Sequence, residues 1–334
     1  MHTRQDSFLG FLGRGDTRFV IPLYQRVYSW APRQCQELWT DIMRAGSQQR
    51  SHFMSMVLFT QAEEDGLTAL DIIDGQQRIA TMTVMLTAFR DYLAHSGAVL
   101  EGWDPQELQQ RYLMAGSGLK LQLLGVDQPT LEALVRGAEL PAKASEHVLA
   151  NYRFYLGKMG EESFDPAVFA AGLRQLLVID AQLGPQDKAQ EIFESLNTKG
   201  LPLTTADLVR NYLLVGLPRD EQRRLYDEYW NPITLMFGED PGAYKLNAGI
   251  RMWLSIRSRQ TRIHDKSQTY NAFKAYMTQE YQGTVEELLD ELRAFCLMWA
   301  ENYKFNEVKE FRCMKWAKGK STTLLPQWGH PSGF

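Results

Sequence analysis

Cysteine is scarce in this chain of 334 residues, which contains only three. Cys35, Cys296 and Cys313 lie far apart and form no C-x-x-C pair, which argues against a structural zinc site and a disulfide framework. Few cysteines without a pairing pattern are typical of proteins in a reducing compartment. We therefore expect a cytoplasmic protein.

Long apolar runs and an excess of basic charge are also missing. No run of 18 apolar residues occurs, and Met1 to Gly15 lacks the apolar centre of a signal peptide, so we expect no membrane partner. The net charge is −4, so any surface for nucleic acid must be local. The length allows two domains. Glycines punctuate residues 1–17, which we interpret as a flexible lead-in.

One stretch, Leu70 to Met82, combines a strand end, a tight turn and a helix start. The apolar run Leu67–Ile73 is typical of a buried strand. From Gln76 the apolar residues recur at helical spacing, and Gly97 is placed to end that helix. The sequence therefore predicts a strand, a turn and a helix in succession.

The chemistry of this stretch favours an anion. The free N–H groups and positive dipole of a helix N-terminus attract phosphate, and Arg78 adds a fork of donors. Asp74 supplies a carboxylate for a hydrated metal ion or a water. The alternative is ordinary turn chemistry, in which Asp74 and Gly75 form the turn and the following side chains are solvated.

The remaining pattern is a mixture of strands and helices. We predict strands at Arg18–Ile21, Phe53–Thr60 and Leu176–Ala181, and a helix that follows Pro32 and ends near Gly46. Phe53–Thr60 and the strand before Asp74 should form a hairpin. Residues 98–170 are mainly helical, with a strand candidate at Leu119–Leu124, and residues 219–334 are all-helical. The fold class is therefore α+β.

The segment Ile21 to Trp30 gathers two tyrosines, a tryptophan, an amide and an arginine after the strand that Pro22 ends. Aromatic and arginine side chains in a loop suit stacking on a base or gripping a phosphate, so Tyr24, Gln25 and Arg26 are candidate ligand-binding residues. For Tyr28 and Trp30, packing in the core is the alternative.

A second polar segment lies between residues 192 and 212. Glu194 and Asn197 are three residues apart on one helix, and their oxygens suit Mg²⁺ shared with a nucleotide's phosphates. The alternative for Asn197 is a place in the last turn before Gly200. Thr204 and Asp207 have the spacing of a capping box that opens the next helix.

Two basic stretches occur in the C-terminal region. Arg251–Lys266 contains Arg257 and Arg259 among five basic residues against one acidic residue, and Lys304–Lys320 contains six against two. Aromatic residues are interleaved with these charges, which suits contact with a phosphate backbone. Solvated helix faces are the alternative.

Three blocks, in this order, resemble the N-terminal domain of the GmrSD and SspE restriction proteins: Ile21-Pro-x-Tyr-Gln-Arg-x-Tyr-x-Trp30, Ile73-Asp-Gly-Gln-Gln-Arg78, and Phe193-Glu-x-Leu-Asn-x-x-Gly200 followed by Leu203-x-x-x-Asp207-Leu-x-Arg-Asn211. The resemblance implies a ParB/sulfiredoxin-like domain over residues 1–215. Residues 216–334 would be a helical region that supports DNA and leads to a nuclease domain absent from this chain.

The resemblance also implies a function. Such domains bind and hydrolyse a nucleoside triphosphate, often GTP, and sense modified double-stranded DNA, with phosphorothioate DNA the favoured modification here. Carried over by position, the nucleotide motif is Asp74, Gly75, Gln76, Gln77 and Arg78, and the loop of Tyr24, Gln25 and Arg26 is the candidate for sensing DNA or completing the nucleotide pocket. Together with the residue chemistry above, this predicts Arg26 as a further nucleotide-binding residue, Asp74 and Arg78 as the catalytic pair, and Mg²⁺ held by Glu194 and Asn197. Tyr24, Gln25, Arg257 and Arg259 are the expected DNA-sensing residues.

One departure limits the expected activity. Relatives usually carry a His-Asn-His nuclease site, whereas His264 and His330 stand alone here. We therefore expect no cleavage by this chain and a nuclease partner, in the full-length protein or on another chain, with homo-oligomers also allowed. The alternative function is a ParB-like clamp or scaffold that binds a nucleotide without hydrolysing it.

Overall fold

The apolar segments of the sequence pair into one six-stranded mixed sheet in a computed structural model. The structure describes residues 1–64, 66–184, 186–187, 191–192, 203–238, 243–258, 263 and 266–305. These residues form two units. One contains Met1–Leu203 and Arg210–Tyr226, and the other contains Thr204–Val209 and the chain from Asp227 onward.

The described helices and strands of the first part of the chain are β1 (His2–Ser7), α1 (Phe8–Leu12), β2 (Thr17–Val20), α2 (Pro32–Gln48), β3 (His52–Glu64), β4 (Leu67–Asp74), α3 (Gln76–Ser96), α4 (Pro105–Leu108) with a π-helical turn (Gln109–Leu113), β5 (Met114–Ala115), β6 (Gly118–Leu119), β7 (Leu121–Gln122), α5 (Asp127–Arg136), α6 (Glu146–Met159), α7 (Pro166–Arg174) and β8 (Leu176–Gln182).

The later elements are all helical: α8 (Thr205–Leu214), α9 (Arg219–Leu225) with a π-helical turn (Tyr226–Trp230), α10 (Asn231–Leu235), α11 (Tyr244–Arg257), α12 (Lys266–Gln279) and α13 (Val285–Phe305). The mixed sheet and the helical C-terminal region confirm the α+β prediction. None of the helices in the described ranges combines the length and apolar character needed to cross a membrane.

Strand order in the large sheet is β1-β8-β3-β4-β2-β7. β3 and β4 pair antiparallel, which confirms the predicted hairpin. On its other side, β4 pairs with β2 in parallel. β4 therefore lies inside the sheet, with a neighbour on each side. Because its apolar side chains are buried, the strand that carries Asp74 is fixed at the centre of the unit.

The helix after β4 is the centre of the core. Most of the side chains of α3 are buried, including Ile79, Met82, Leu86 and Phe89. The helix ends at Gly97, whose φ of +67° is the left-handed conformation that glycine adopts readily, as the sequence predicts. Burial of so many apolar side chains anchors the N-terminus of this helix against the sheet.

The first 17 residues correct an expectation. They do not form a flexible lead-in: β1 pairs antiparallel with β8, and α1 buries Phe8 and Phe11. β1 is an exposed edge strand with few apolar residues, so its order comes from hydrogen bonds to β8 and from charge pairing. The Asp180 carboxylate on β8 accepts hydrogen bonds from Arg14 and, at 3.5 Å, from Arg4.

Two further expectations have clear outcomes. The strand predicted at Leu119–Leu124 is divided into two short strands. β6 pairs with β5 in a separate small hairpin, and β7 pairs with β2 in the large sheet. The capping box is confirmed: Thr204 N donates to Asp207 Oδ2 at 3.0 Å, and Asp207 N donates to Thr204 Oγ1 at 3.1 Å.

In the second unit, aromatic side chains form much of the core. Trp230, Trp253 and Phe273 are at most 2% exposed, and Cys296 is fully buried. The indole Nε1 of Trp253 donates to Glu291 at 2.7 Å, which satisfies its polar atom inside the helical packing.

Helices α2 and α7 cross at two glycines. A β-carbon at Gly46 would lie 1.9 Å from the carbonyl oxygen of Val168, and one at Gly172 would lie 2.0 Å from that of Ile42. Backbone atoms therefore fill the space that a side chain would need, and the close crossing requires glycine on both helices.

Replacing Gly172 with alanine should lower the free energy of unfolding by about 1–3 kcal/mol, because the helices must separate to admit the methyl group. Denaturant unfolding measures this loss. Gly157→Ala on α6 is the matched control, since a β-carbon there meets nothing within 4 Å. That change should stabilise the protein by about 0.4–1 kcal/mol. Equal effects of the two substitutions would contradict the close crossing.

Candidate functional site

The candidate site begins where β4 ends. Asp74 is the last residue of the strand, Gly75 makes the turn with a φ of +94°, and α3 starts at Gln76. A β-carbon on Gly75 would lie 2.9 Å from Cγ2 of Val57, so both the conformation and the space favour glycine. The turn directs the N-terminal amides of a 21-residue helix to the end of the strand, and no side chain caps them.

Two arginines act on the Asp74 carboxyl. Burial raises its pKa above the usual value, while the N–H of Gly75 and the charges of Arg78 and Arg26 oppose that rise. Burial lowers the pKa of the Arg78 guanidinium, and Asp74 opposes this change. The charges of two arginines therefore favour the ionised form of one partly buried carboxylate.

Gln76 contributes an unused acceptor. Its side chain is 8% exposed, and its buried Oε1 has no hydrogen-bond partner among the described residues. It lines a recess together with Arg26, Gln77 and an apolar wall that includes Val27 and Leu124. The recess has a volume of about 10 Å³, which is room for one water molecule and too little for a nucleobase.

Gln77 holds the loop that carries Arg26. Its Oε1 accepts from the backbone N–H of Ser29 at 2.9 Å, and its Nε2 donates to the carbonyl of Val27 at 3.2 Å. Both ends of the carboxamide are therefore engaged by the loop backbone. The nucleotide-binding role expected for Gln77 stays a prediction. In this structure the Gln77 side chain fixes the loop to α3.

The same loop is held by buried polar groups that the sequence did not single out. The Tyr28 hydroxyl shares a 2.7 Å hydrogen bond with Thr81 Oγ1 and accepts from Asn151 Nδ2 at 2.9 Å. Asn151 also donates to the carbonyl of Trp30 at 2.8 Å, and Asp127 accepts from Tyr28 N at 2.8 Å. Only a buried polar residue on an otherwise apolar helix face would have suggested Asn151.

Tyr24 and Gln25 are buried, with exposed fractions of 7% and 2%. Gln25 Nε2 donates to the carbonyl of Ile73 at 2.7 Å, one residue before Asp74. Burial raises the pKa of the Tyr24 hydroxyl far above its ordinary value, with a further rise from Asp71. Their expected role in DNA sensing stays a prediction, and in this structure Gln25 ties the loop to β4.

The structure leaves the roles of the other expected site residues as predictions. Glu194, Asn197 and Arg259 fall outside the described residues. Arg257, in the second unit, pairs with the Glu291 carboxylate, so its expected DNA contact also stays a prediction. Within the described part of the chain, His, Cys, Asp and Glu side chains form no group of three or more that would hold a metal ion.

The residues present fit the phosphate end of a nucleotide. The N-terminus of α3, where no side-chain cap is seen among the described residues, follows Asp74 directly, and the charges of Arg78 and Arg26 act on that carboxyl. Asp74 also supplies the hard oxygen that Mg²⁺ prefers. Because Mg²⁺ is commonly held by one or two carboxylates together with substrate phosphates, a cluster of three acidic residues is not required.

Comparison with protein-family models matches residues 8–214 to the N-terminal domain of the GmrSD restriction endonuclease. The matched range covers more than half of the chain and includes both the loop of Arg26 and the turn at Gly75. No curated protein matches the chain.

Replacing Asp74 with asparagine should raise the melting temperature at neutral pH by a few degrees in nucleotide-free protein with chelator present. The pKa of Asp74 is higher in the folded state than in the unfolded state, so the folded state binds the extra proton and ionisation costs stability. The gain should be largest at neutral pH. It should vanish as the pH falls below the ordinary aspartate value near 3.8, where both states are protonated.

Calorimetry at several pH values measures this difference, with Asp16→Asn as the comparison for an exposed aspartate. A melting temperature that falls on substitution at neutral pH would show that the arginines stabilise the ionised carboxylate by more than burial costs it.

Proposed function

Because the chain belongs to the family of GmrSD restriction endonuclease N-terminal domains, we propose that it is the nucleotide-hydrolysing sensor of a restriction system. In this proposal it hydrolyses a nucleoside triphosphate, with GTP favoured, in response to modified double-stranded DNA. The observation that carries the proposal is the N-terminus of α3 directly after Asp74, with the charges of Arg78 and Arg26 acting on that carboxyl.

Phosphate binding is the first task of the proposed site. The amides at the start of α3 follow the turn directly, and the helix dipole there favours negative charge. Arg78 and Arg26 add planar donor forks that match phosphate oxygens. A triphosphate would bring negative charge to these amides and guanidinium groups.

Catalysis of phosphoryl transfer depends mainly on positioning and on charge neutralisation. Mg²⁺, when bound, neutralises phosphate charge, and Asp74, Glu194 and Asn197 are the residues that would hold it. The unpartnered Oε1 of Gln76 would accept a hydrogen bond from the attacking water. If Glu194 and Asn197 hold the metal without Asp74, the Asp74 carboxylate would instead position the attacking water.

The nuclease of the proposed system would be a domain of the full-length protein or a partner chain. Hydrolysis here would license its activity on DNA that carries the modification, with phosphorothioate favoured. The rival is a clamp that binds the nucleotide and changes conformation without hydrolysis. Both use the same phosphate site, so only turnover separates them.

Replacing Arg78 with alanine should lower kcat for GTP hydrolysis about 100- to 1,000-fold, the usual loss when one charged stabiliser of a developing anion is removed. Phosphate release in the presence of Mg²⁺ measures the rate. Arg33→Ala is the matched control, because the Arg33 side chain is 85% exposed on α2 and should leave the rate unchanged. Wild-type turnover in the Arg78 variant, with its melting temperature preserved, would remove Arg78 from the site.

Phosphorothioate-containing duplex should stimulate GTP hydrolysis by the wild-type protein at least tenfold over plain duplex of the same sequence. Steady-state phosphate release measures this, with ATP and glucosylated duplex as parallel arms. Stimulation by the glucosylated duplex alone would change the assigned modification. Nucleotide binding without turnover under every condition would favour the non-hydrolytic clamp.

A further inference from the structure

Arg210, on α8, has no task in the function proposed so far, although it is 9% exposed and charged. Its Nε donates to the carbonyl of Tyr24 at 3.2 Å, and its Nη2 donates to the carbonyl of Gln25 at 2.8 Å. One guanidinium therefore spans two consecutive carbonyls of the loop that leads to Arg26. We infer that Arg210 is a positioning residue that sets Arg26 against Asp74 for nucleotide hydrolysis.

Hydrogen bonds connect Arg210 to the site in two steps. Arg210 holds the backbone of Gln25, and the side chain of Gln25 donates to the carbonyl of Ile73 at 2.7 Å. Ile73 precedes Asp74 in β4. The loop and the end of the strand are thereby fixed to each other, and Arg210 stabilises the loop side of that contact.

On its other side the loop is held by α3, because Gln77 binds the backbone of Val27 and Ser29. Arg26 lies between these two fixed points. Its backbone direction is therefore set by Arg210 before it and by Gln77 after it, while its charge lowers the pKa of Asp74. A catalytic group must be held within a fraction of an ångström to be effective, and this double restraint supplies such precision.

The chemistry of the contact requires a guanidinium. Its planar fork presents two donors at a fixed separation, whereas the ammonium of lysine is a single point that reaches one carbonyl well. Arg210→Lys would keep the buried charge but lose the simultaneous grip on Tyr24 and Gln25. Charge alone and geometry are therefore separable by this variant.

The inference rests on the proposed function, so the first experiment uses no nucleotide. Hydrogen exchange of the peptide covering residues 22–30 should become about tenfold faster in Arg210→Ala and in Arg210→Lys, while exchange in β3 and β8 stays at the wild-type rate. Unchanged exchange in residues 22–30 would overturn the inference whatever the protein hydrolyses. If the alanine variant fails to fold, the lysine variant carries this test.

A double-mutant cycle with Arg26 tests the route of the effect. Arg210→Ala should lower kcat for GTP hydrolysis about 10- to 100-fold with little change in KM, and millimolar guanidinium chloride should restore part of the loss. In an Arg26→Ala background the same substitution should change kcat less than about twofold, because Arg210 acts through Arg26. Equal losses in both backgrounds, or full activity of Arg210→Lys, would overturn the inference.

Arg33→Ala again serves as the exposed control in both assays. The two arms keep the proposals apart. A wild-type protein that never releases phosphate removes the proposed hydrolysis, but leaves hydrogen exchange to decide whether Arg210 orders the loop.

Discussion

A turn without space for a side chain joins the central strand to the central helix, and the candidate site depends on it. Gly75 has a positive φ and lies against Val57, so β4 passes into α3 within one residue. The strand is fixed by a partner on each side and the helix by its buried apolar side chains. The amides at the start of α3 are therefore held rigidly beside Asp74, which is the arrangement that an anion needs.

Around this turn the protein accepts an unfavourable burial of charge. The pKa of Asp74 rises and that of Arg78 falls because both groups are partly removed from water. Burial of such charged groups lowers the stability of the free protein. It also strengthens their attraction to a ligand of the opposite charge, since the surrounding protein screens the charges weakly. The site thus resembles other functional sites, in which groups needed for activity lower the stability of the folded protein.

The loop from Pro22 to Trp30 is ordered by polar side chains rather than by secondary structure. Gln77, Asn151 and Arg210 hold backbone groups of this loop from three different helices. Buried polar groups of this kind are costly unless each finds a partner, so they specify one conformation strongly. The aromatic and arginine residues that first suggest a ligand-binding loop are consequently divided between packing, with Tyr28 in the core, and the site, with Arg26 beside Asp74.

The sequence by itself determined the elements that rest on local rules. The hairpin of β3 and β4, the helix that follows Gly75, its end at Gly97 and the capping box of Thr204 and Asp207 all follow from periodicity, turn chemistry and capping, which act within a few residues. The α+β class followed from the same signals. The three sequence blocks that resemble the family were likewise recognisable without the structure.

Only the tertiary structure decided what distant residues do for one another. β1 has no apolar pattern and is ordered by its pairing with β8, almost the whole first unit away in sequence. Gln25 and Gln77 are of a residue type that often binds ligands, yet their side-chain amides donate to the backbone carbonyls of Ile73 and Val27. The sequence around a hydrogen-bond donor does not identify its acceptor, because the packing of whole helices and strands determines which groups meet.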